Sequence, residues 1–192
     1  MAITVDFRGR LQESARSTSQ HAVSAPAVAG WSAKSFDYRT SMIVSIDLPS
    51  RDDVRALLDE HHADMRALSS AESAQTLDLG ALQHPNVTFW TVRENGVLLA
   101  CGALRELDSG HGEIKSMRTS LEQRRRGAGR VMLAHLLGEA RTRGYERVSL
   151  EAGVAIEFDP ALHLYDSAGF RPCGPFGPYK ECADSRFMTL RL

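Results

Sequence analysis

Residues 112–137 read GEIKSMRTSLEQRRRGAGRVMLAHLL: a strand-like stretch, a short basic loop, then a glycine-spaced entry into an amphipathic helix. The chemistry this order suits is anion binding. Backbone N–H groups in the first turn of a helix have no intrahelical acceptor and carry the positive end of the helix dipole. Gly127 and Gly129 allow a ligand to approach the main chain, and Arg124, Arg125, Arg126 and Arg130 add full positive charge beside Ala128. A phosphate is the expected ligand. Two phosphate motifs are excluded by spacing, because there is no G-x-x-x-x-G-K-[ST] and Met132 stands where a dinucleotide fingerprint needs its third glycine.

The other residues capable of chemistry are scattered. His61 and His62 with Asp64 lack the H-E-x-x-H spacing and have no third ligand nearby, so they read as surface or acceptor-pocket histidines and no metal is expected. The three cysteines, Cys101, Cys173 and Cys182, are odd in number and form no C-x-x-C, which argues against a disulfide framework or a zinc site and for a reducing compartment. Cys173 could serve as a nucleophile, but no histidine is near it in sequence, and a free cysteine more often fills a buried position. The acidic pairs Asp52-Asp53 and Asp59-Glu60 could attract a cationic amine and read equally well as a solvated helix face.

The basic loop needs a scaffold, and the 192-residue chain is long enough to supply one without staples. With 23 basic and 24 acidic residues there is no net field to draw the whole molecule onto nucleic acid or anionic lipid. No apolar stretch approaches the roughly 20 residues of a membrane span, and no signal-peptide h-region opens the chain, so a cytoplasmic protein is expected. Residues 1–41 are Ser- and Ala-rich without sustained period and read as a disordered extension. Met42, where strand-like MIVSID begins, is then a possible true start; an organelle transit sequence is the weaker reading of the same tail.

Over 42–192 strand and helix patterns alternate. Ser50 reads as an N-cap with Asp53 three residues on, before Val54, Leu57, Leu58, Met65 and Leu68 at helical spacing. A short helix is expected around 77–82. Strands at 87–92 and 97–101 flank Glu94-Asn95-Gly96, a hairpin signal. A strand at 113–119 precedes the basic loop, and Val131, Leu133, Leu136, Leu137 and Ala140 form the stripe of a helix ending at Gly144. A short strand at 148–150 follows. Asp159 reads as the N-cap of a last helix with Pro160 at its first position and Leu164, Tyr165 and Ala168 on its buried face, and FMTLRL closes the chain as a strand.

Arg124-x-x-Gly127-x-Gly129 after a strand resembles the pyrophosphate-binding motif of the GNAT superfamily of acetyl-CoA-dependent N-acetyltransferases. LHLYDSAGF at 162–170 is similar to that superfamily's late L-Y-x-x-x-G-F segment. HHADMRAL, FWTVRENG, GEIKSMRTS, CGPFGPY and the FMTL ending look like one bacterial subgroup whose substrates are mostly unassigned. The resemblance covers 42–192 and implies an α/β (α+β) GNAT fold: a mixed, mostly antiparallel sheet splayed between its fourth and fifth strands and flanked by helices.

It also implies acetyl-CoA as co-substrate, with the pantetheine arm in the splay against backbone groups of Met117, Arg118 and Thr119. Backbone N–H groups of residues 125–130 would hold the pyrophosphate, and the arginine side chains would be free for the ribose phosphate. Tyr165 would sit near the sulfur as the acid. A lysine-like acceptor amine, with an ordinary pKa near 10.4, attacks only as the free base and needs a proton acceptor. Glu113 is the first choice for that base, through water where needed, and Glu151 the second. A backbone N–H near Met117 or Arg118 would meet the oxyanion. Two departures, Phe158 where many members carry asparagine and Leu121 in place of a common proline, imply weaker cofactor binding.

Three functions follow in order: an N-acetyltransferase acting on a small-molecule or peptide amine, an acyl-CoA-binding sensor without turnover, and a nucleic-acid binder. The last is least favoured, because the excess arginine is confined to one loop. Either a monomer or a homodimer is compatible with the sequence.

Overall fold

A computed structural model of the chain describes residues 2–4, 42–68 and 79–192. The extension expected over 1–41 lies outside these residues except at its first strand, as does the start of the expected helix at 77–82. The elements in chain order are β1 (Ala2–Thr4), β2 (Ile43–Ile46), α1 (Asp52–Leu68), α2 (Leu79–Leu82), β3 (Val87–Glu94), β4 (Val97–Asp108) and β5 (His111–Thr119). They continue with α3 (Ala128–Thr142), β6 (Arg147–Gly153), α4 (Asp159–Ser167), β7 (Arg171–Pro172) and β8 (Ser185–Arg191).

The strands form one sheet in the order β1-β2-β3-β4-β5-β6-β8-β7. Every neighbouring pair is antiparallel except β5 with β6. That exception is a consequence of connectivity, since β5 and β6 are joined by the α3 crossover, whereas β3, β4 and β5 follow one another through two-residue turns. Asn95 and Gly96 both have positive φ, as a two-residue hairpin loop between β3 and β4 requires. The expected mixed, mostly antiparallel sheet with flanking helices is present. Its opening lies between the fifth and sixth strands rather than the fourth and fifth, because Ala2–Thr4 pairs with β2 and adds a strand at the front of the count.

Two apolar layers cover the sheet. On one face α3 buries Ala128, Met132, Leu133, Leu136, Leu137 and Ala140. These join Leu99, Leu104 and Ile114 from the sheet and Leu162, Tyr165 and Phe170 from the α4 region in the larger core. On the other face Val54, Leu57 and Leu58 of α1 and Leu82 of α2 meet Phe89, Cys101 and Ala103. Strand β4 serves both layers by the two-residue alternation of its side chains. At Gly102 the alternation leaves no room for a side chain, since a Cβ there would lie 3.0 Å from Met132 Cγ.

Helix ends differ from their sequence signals in two places. The Arg51 carbonyl accepts the Arg55 N–H at 2.7 Å, so Arg51, one residue beyond the serine expected to cap α1, is at the cap position and the helix starts at Asp52. At α4 a 3-10 turn over Ile156–Phe158 runs directly into the helix. Asp159 therefore already has helical φ and ψ and lies in the first turn, with Phe158 at the cap position. The end of α3 matches its signal: Gly144 has φ +77°, and the Tyr145 N–H bonds back to the Ala140 carbonyl at 3.0 Å, a glycine-terminated cap.

Candidate active site

The site begins with an irregularity in β5. Cys101 of β4 faces Arg118 and Ala103 faces Lys115, so β5 carries one extra residue between these pairs; the positive φ of Ser116 marks the bulge. A bulge resets which face each side chain takes. Met117 consequently packs with Ile114 toward the α3 layer, whereas Arg118 turns to the α1 side and binds Glu60 at 2.5 Å and Asp64 at 2.6 Å. This double ion pair ties α1 to β5.

Beyond Thr119 the chain makes a 3-10 turn over Leu121–Gln123 and enters α3 through two left-handed residues, Arg125 at φ +63° and Gly127 at φ +88°. Gly127 is the N-cap and no side chain caps the helix. The first helical bond in this turn runs from the Val131 N–H to the Gly127 carbonyl at 3.0 Å, leaving the N–H groups of Ala128 and Gly129 ahead of it without an intrahelical acceptor. Gly129 is where three elements meet: a Cβ there would lie 3.2 Å from Thr119 Oγ1 of β5 and 3.6 Å from Leu164 of α4. The start of α3 therefore presents uncapped main-chain N–H groups, the kind of donor that binds phosphate.

All four arginines, Arg124, Arg125, Arg126 and Arg130, are exposed. Arg126, expected to be free for a ribose phosphate, is instead held by the buried Glu94 of β3 and by Gln123. That ion pair ties the loop to β3.

β5 and β6 are paired only from His111 with Arg147 to Ile114 with Leu150. The closed end is fastened across three strands, His111 Nε2 lying 2.8 Å from Ser149 Oγ and Ser149 Oγ donating to Thr189 at 3.0 Å. Past Ile114 and Leu150 the ladder stops, and Lys115 to Thr119 and Glu151 to Gly153 diverge around an opening. Glu151 accepts a 2.5 Å hydrogen bond from Ser185 of β8. The Phe158 ring lies flush against Gly153, whose Cβ would fall 2.3 Å from the ring. With exposed Val154 and Ile156 it gives this end of β6 an apolar lip.

Tyr165 of α4 belongs to the core beneath the opening, its ring edge-on to Phe170 at 5.8 Å. Burial among apolar groups pushes its phenol up to about 12. Glu113 lies on the opposite face and is only 1% exposed. Its Oε1 accepts from Lys115 Nζ at 2.8 Å and from the Tyr179 hydroxyl at 2.5 Å, while Arg105 Nε stands 3.3 Å from Oε2. Lys115 also donates to the Tyr179 oxygen at 2.7 Å. Burial, and next the charge of Glu113, raise the pKa of Tyr179 well above the ordinary phenol range. His61 of α1 is held down to about 4, first by burial and then by the Arg118 charge.

Tyr179 is the member of this group that sequence reasoning missed. In the sequence the loop from Phe176 to Tyr179 reads only as part of an acceptor pocket, with no chemical role for the tyrosine; the signal in it was the pair Phe176 and Tyr179, which stack edge-on at 5.2 Å. Among the described residues no group of three or more His, Cys, Asp and Glu is arranged to hold a metal ion, and no helix is long and apolar enough to cross a membrane.

Residues 54–170 match the acetyltransferase (GNAT) family. YsnE of Bacillus subtilis, an uncharacterized N-acetyltransferase, is 46% identical over 151 residues, spanning 79% of this chain and all of that one. The IAA acetyltransferase of Azospirillum brasilense is 34% identical over 153 residues, spanning 79% and 99% of the two chains. Among solved structures, a GNAT family acetyltransferase from Elizabethkingia anophelis with acetyl-CoA bound shares the fold, with a TM-score of 0.57 at 19% identity over 79% of this chain and 98% of that one.

Proposed function

The chain belongs to the acetyltransferase (GNAT) family, and on that premise we propose that it transfers an acetyl group from acetyl-CoA to a primary amine of a small molecule or peptide. The acceptor attacks directly within a ternary complex. The observation that carries this reading is a coincidence of position: the uncapped start of α3 and its left-handed approach stand at the end of β5, the strand that parts from β6 to open the sheet.

When bound, acetyl-CoA supplies an acetyl group activated as a thioester. Backbone N–H groups of residues 125–130 hold its pyrophosphate, with Arg124, Arg125 and Arg130 facing the remaining phosphate charge. Main-chain groups of Met117, Arg118 and Thr119 orient the arm and the acetyl group; a backbone N–H aimed at developing negative charge stabilises it at no reorganisation cost. Tyr165 holds its proton at neutral pH because burial makes phenolate formation unfavourable, which fits it to protonate the departing thiolate. Glu113 is the proton acceptor for the amine, with Glu151 the less favoured candidate since it is engaged by Ser185.

The test has two stages. The thermal midpoint is measured with millimolar acetyl-CoA, NAD or ATP; at ~100 times its dissociation constant a ligand adds about 2.7 kcal/mol, several degrees for a chain of this size. Thiol release is then followed with glycine, lysine, putrescine, glucosamine and tryptamine as amines of different chemistry. A rise specific to acetyl-CoA together with amine-dependent thiol release is the expected result. A rise without turnover would turn the reading to an acyl-CoA sensor, and no rise would remove the cofactor.

A further inference from the structure

Glu113 is too deeply buried to touch an acceptor. Its side chain is 1% exposed, and Oε2 is enclosed without a hydrogen bond, facing Arg105 at 3.3 Å. Oε1 is reached by two donors, Lys115 Nζ and the Tyr179 hydroxyl, and of these only Tyr179 can both give a proton to the carboxylate and take one from elsewhere. Tyr179 is half-buried, on the segment between β7 and β8. A phenol oxygen has two lone pairs. One accepts from Lys115 at 2.7 Å, which leaves the other for a second donor. The ring is fixed between Phe176 at 5.2 Å and Phe187 at 5.7 Å, with the Lys115 ammonium 5.4 Å from its centre. The hydroxyl is thus held in line with Oε1 before any acceptor binds.

We infer that Tyr179 is the acceptor-facing end of a two-proton relay ending at Glu113. The acceptor's N–H bond breaks and a new O–H bond forms at Tyr179, while the original Tyr179 proton crosses the 2.5 Å hydrogen bond to Glu113 Oε1. Tyr179 is neutral before and after; the net change is one proton moved from the amine to the carboxylate. This rests on the reading of Glu113 as base, and it explains how a carboxylate sealed from the opening serves that purpose. Tyr165, on the other face of the sheet, keeps its separate task as acid.

The experiment measures kcat with acetyl-CoA and the best amine of the panel above for wild type, Tyr179→Phe, Glu113→Gln and the double variant, together with wild-type kcat in mixtures of H2O and D2O. Phe keeps the ring that packs between Phe176 and Phe187, and thermal midpoints check folding. Each single variant should lose roughly 10²-fold or more in kcat with little change in KM for acetyl-CoA, and the double variant should be no slower than Glu113→Gln, since a relay broken once is broken. The wild-type isotope plot should bow, as two moving protons require, and a structural tyrosine would not cause that. Multiplying losses, a straight wild-type plot, or full activity in Tyr179→Phe beside an impaired Glu113→Gln would overturn the relay and leave Glu113 as base. Full activity in Glu113→Gln would overturn both, as would a wild type that releases no thiol with any of the amines.

Discussion

Tyr165 and Tyr179 are the same side chain in two electrostatic settings. The first is surrounded by apolar groups and its pKa is raised by burial alone, up to about 12; the second is raised by burial and by the carboxylate it serves. Both keep their protons at neutral pH. For Tyr165→Phe, kcat should fall about 10²-fold, the order general acid catalysis contributes, while the acetyl-CoA-induced rise in thermal midpoint is retained. Steady-state kinetics beside a thermal melt checks this; loss of the thermal response would make Tyr165 a packing residue. Tyr165 could be picked out in the sequence because its neighbours Leu164, Gly169 and Phe170 carry the local pattern. Tyr179 could not, because its partners Lys115 and Glu113 lie 64 and 66 positions away and are reached only when the chain returns across the sheet.

Among the elements, the turn from β6 into α4 is the most tightly fitted. A Cβ at Gly153 would meet the Phe158 ring at 2.3 Å, and a ring closed between strand end and helix start has little room to retreat. Gly153→Ala should lower stability by about 1–3 kcal/mol, the usual cost of overpacking, and adding Phe158→Ala should recover part of that loss. Denaturant melts of the two single variants and the pair measure the coupling; additive losses would show that the ring moves freely. The strands, helices and hairpin of this architecture were legible because their patterns are local: Asn95-Gly96 for the turn, the apolar stripe from Ala128 to Ala140 for α3, Gly144 for its end. The bulge at Ser116, the retreat of Arg126 to Glu94 and the burial of Glu113 were not. Each depends on which residue a neighbouring strand presents, and spacing along one segment does not encode that.

Across the whole molecule, each apolar layer contains a neutral histidine held by burial. His61 stands on the α1 side, and His135 lies edge-on to Trp90 on the α3 side at 5.3 Å. Both are lowered to about 4, with burial the largest cause. The unfolded chain, with ordinary histidines near 6.5, takes up protons first, so stability is full above pH 6.5 and is lost as pH falls toward 4. The loss should be on the order of 3 kcal/mol per histidine once both states are protonated. Thermal midpoints between pH 7 and 4.5 should fall for the wild type and fall less for His135→Gln; equal slopes would remove His135 as a cause. The opening between β5 and β6 has a different consequence, for the chain's history. On the proposed reading the donor is held chiefly by main-chain amides at the start of α3, which substitutions elsewhere leave in place. On that reading, substitutions on the α1 face and on the segment around Tyr179 change which acceptor is recognised, generation after generation, while the grip on the donor stays as it was.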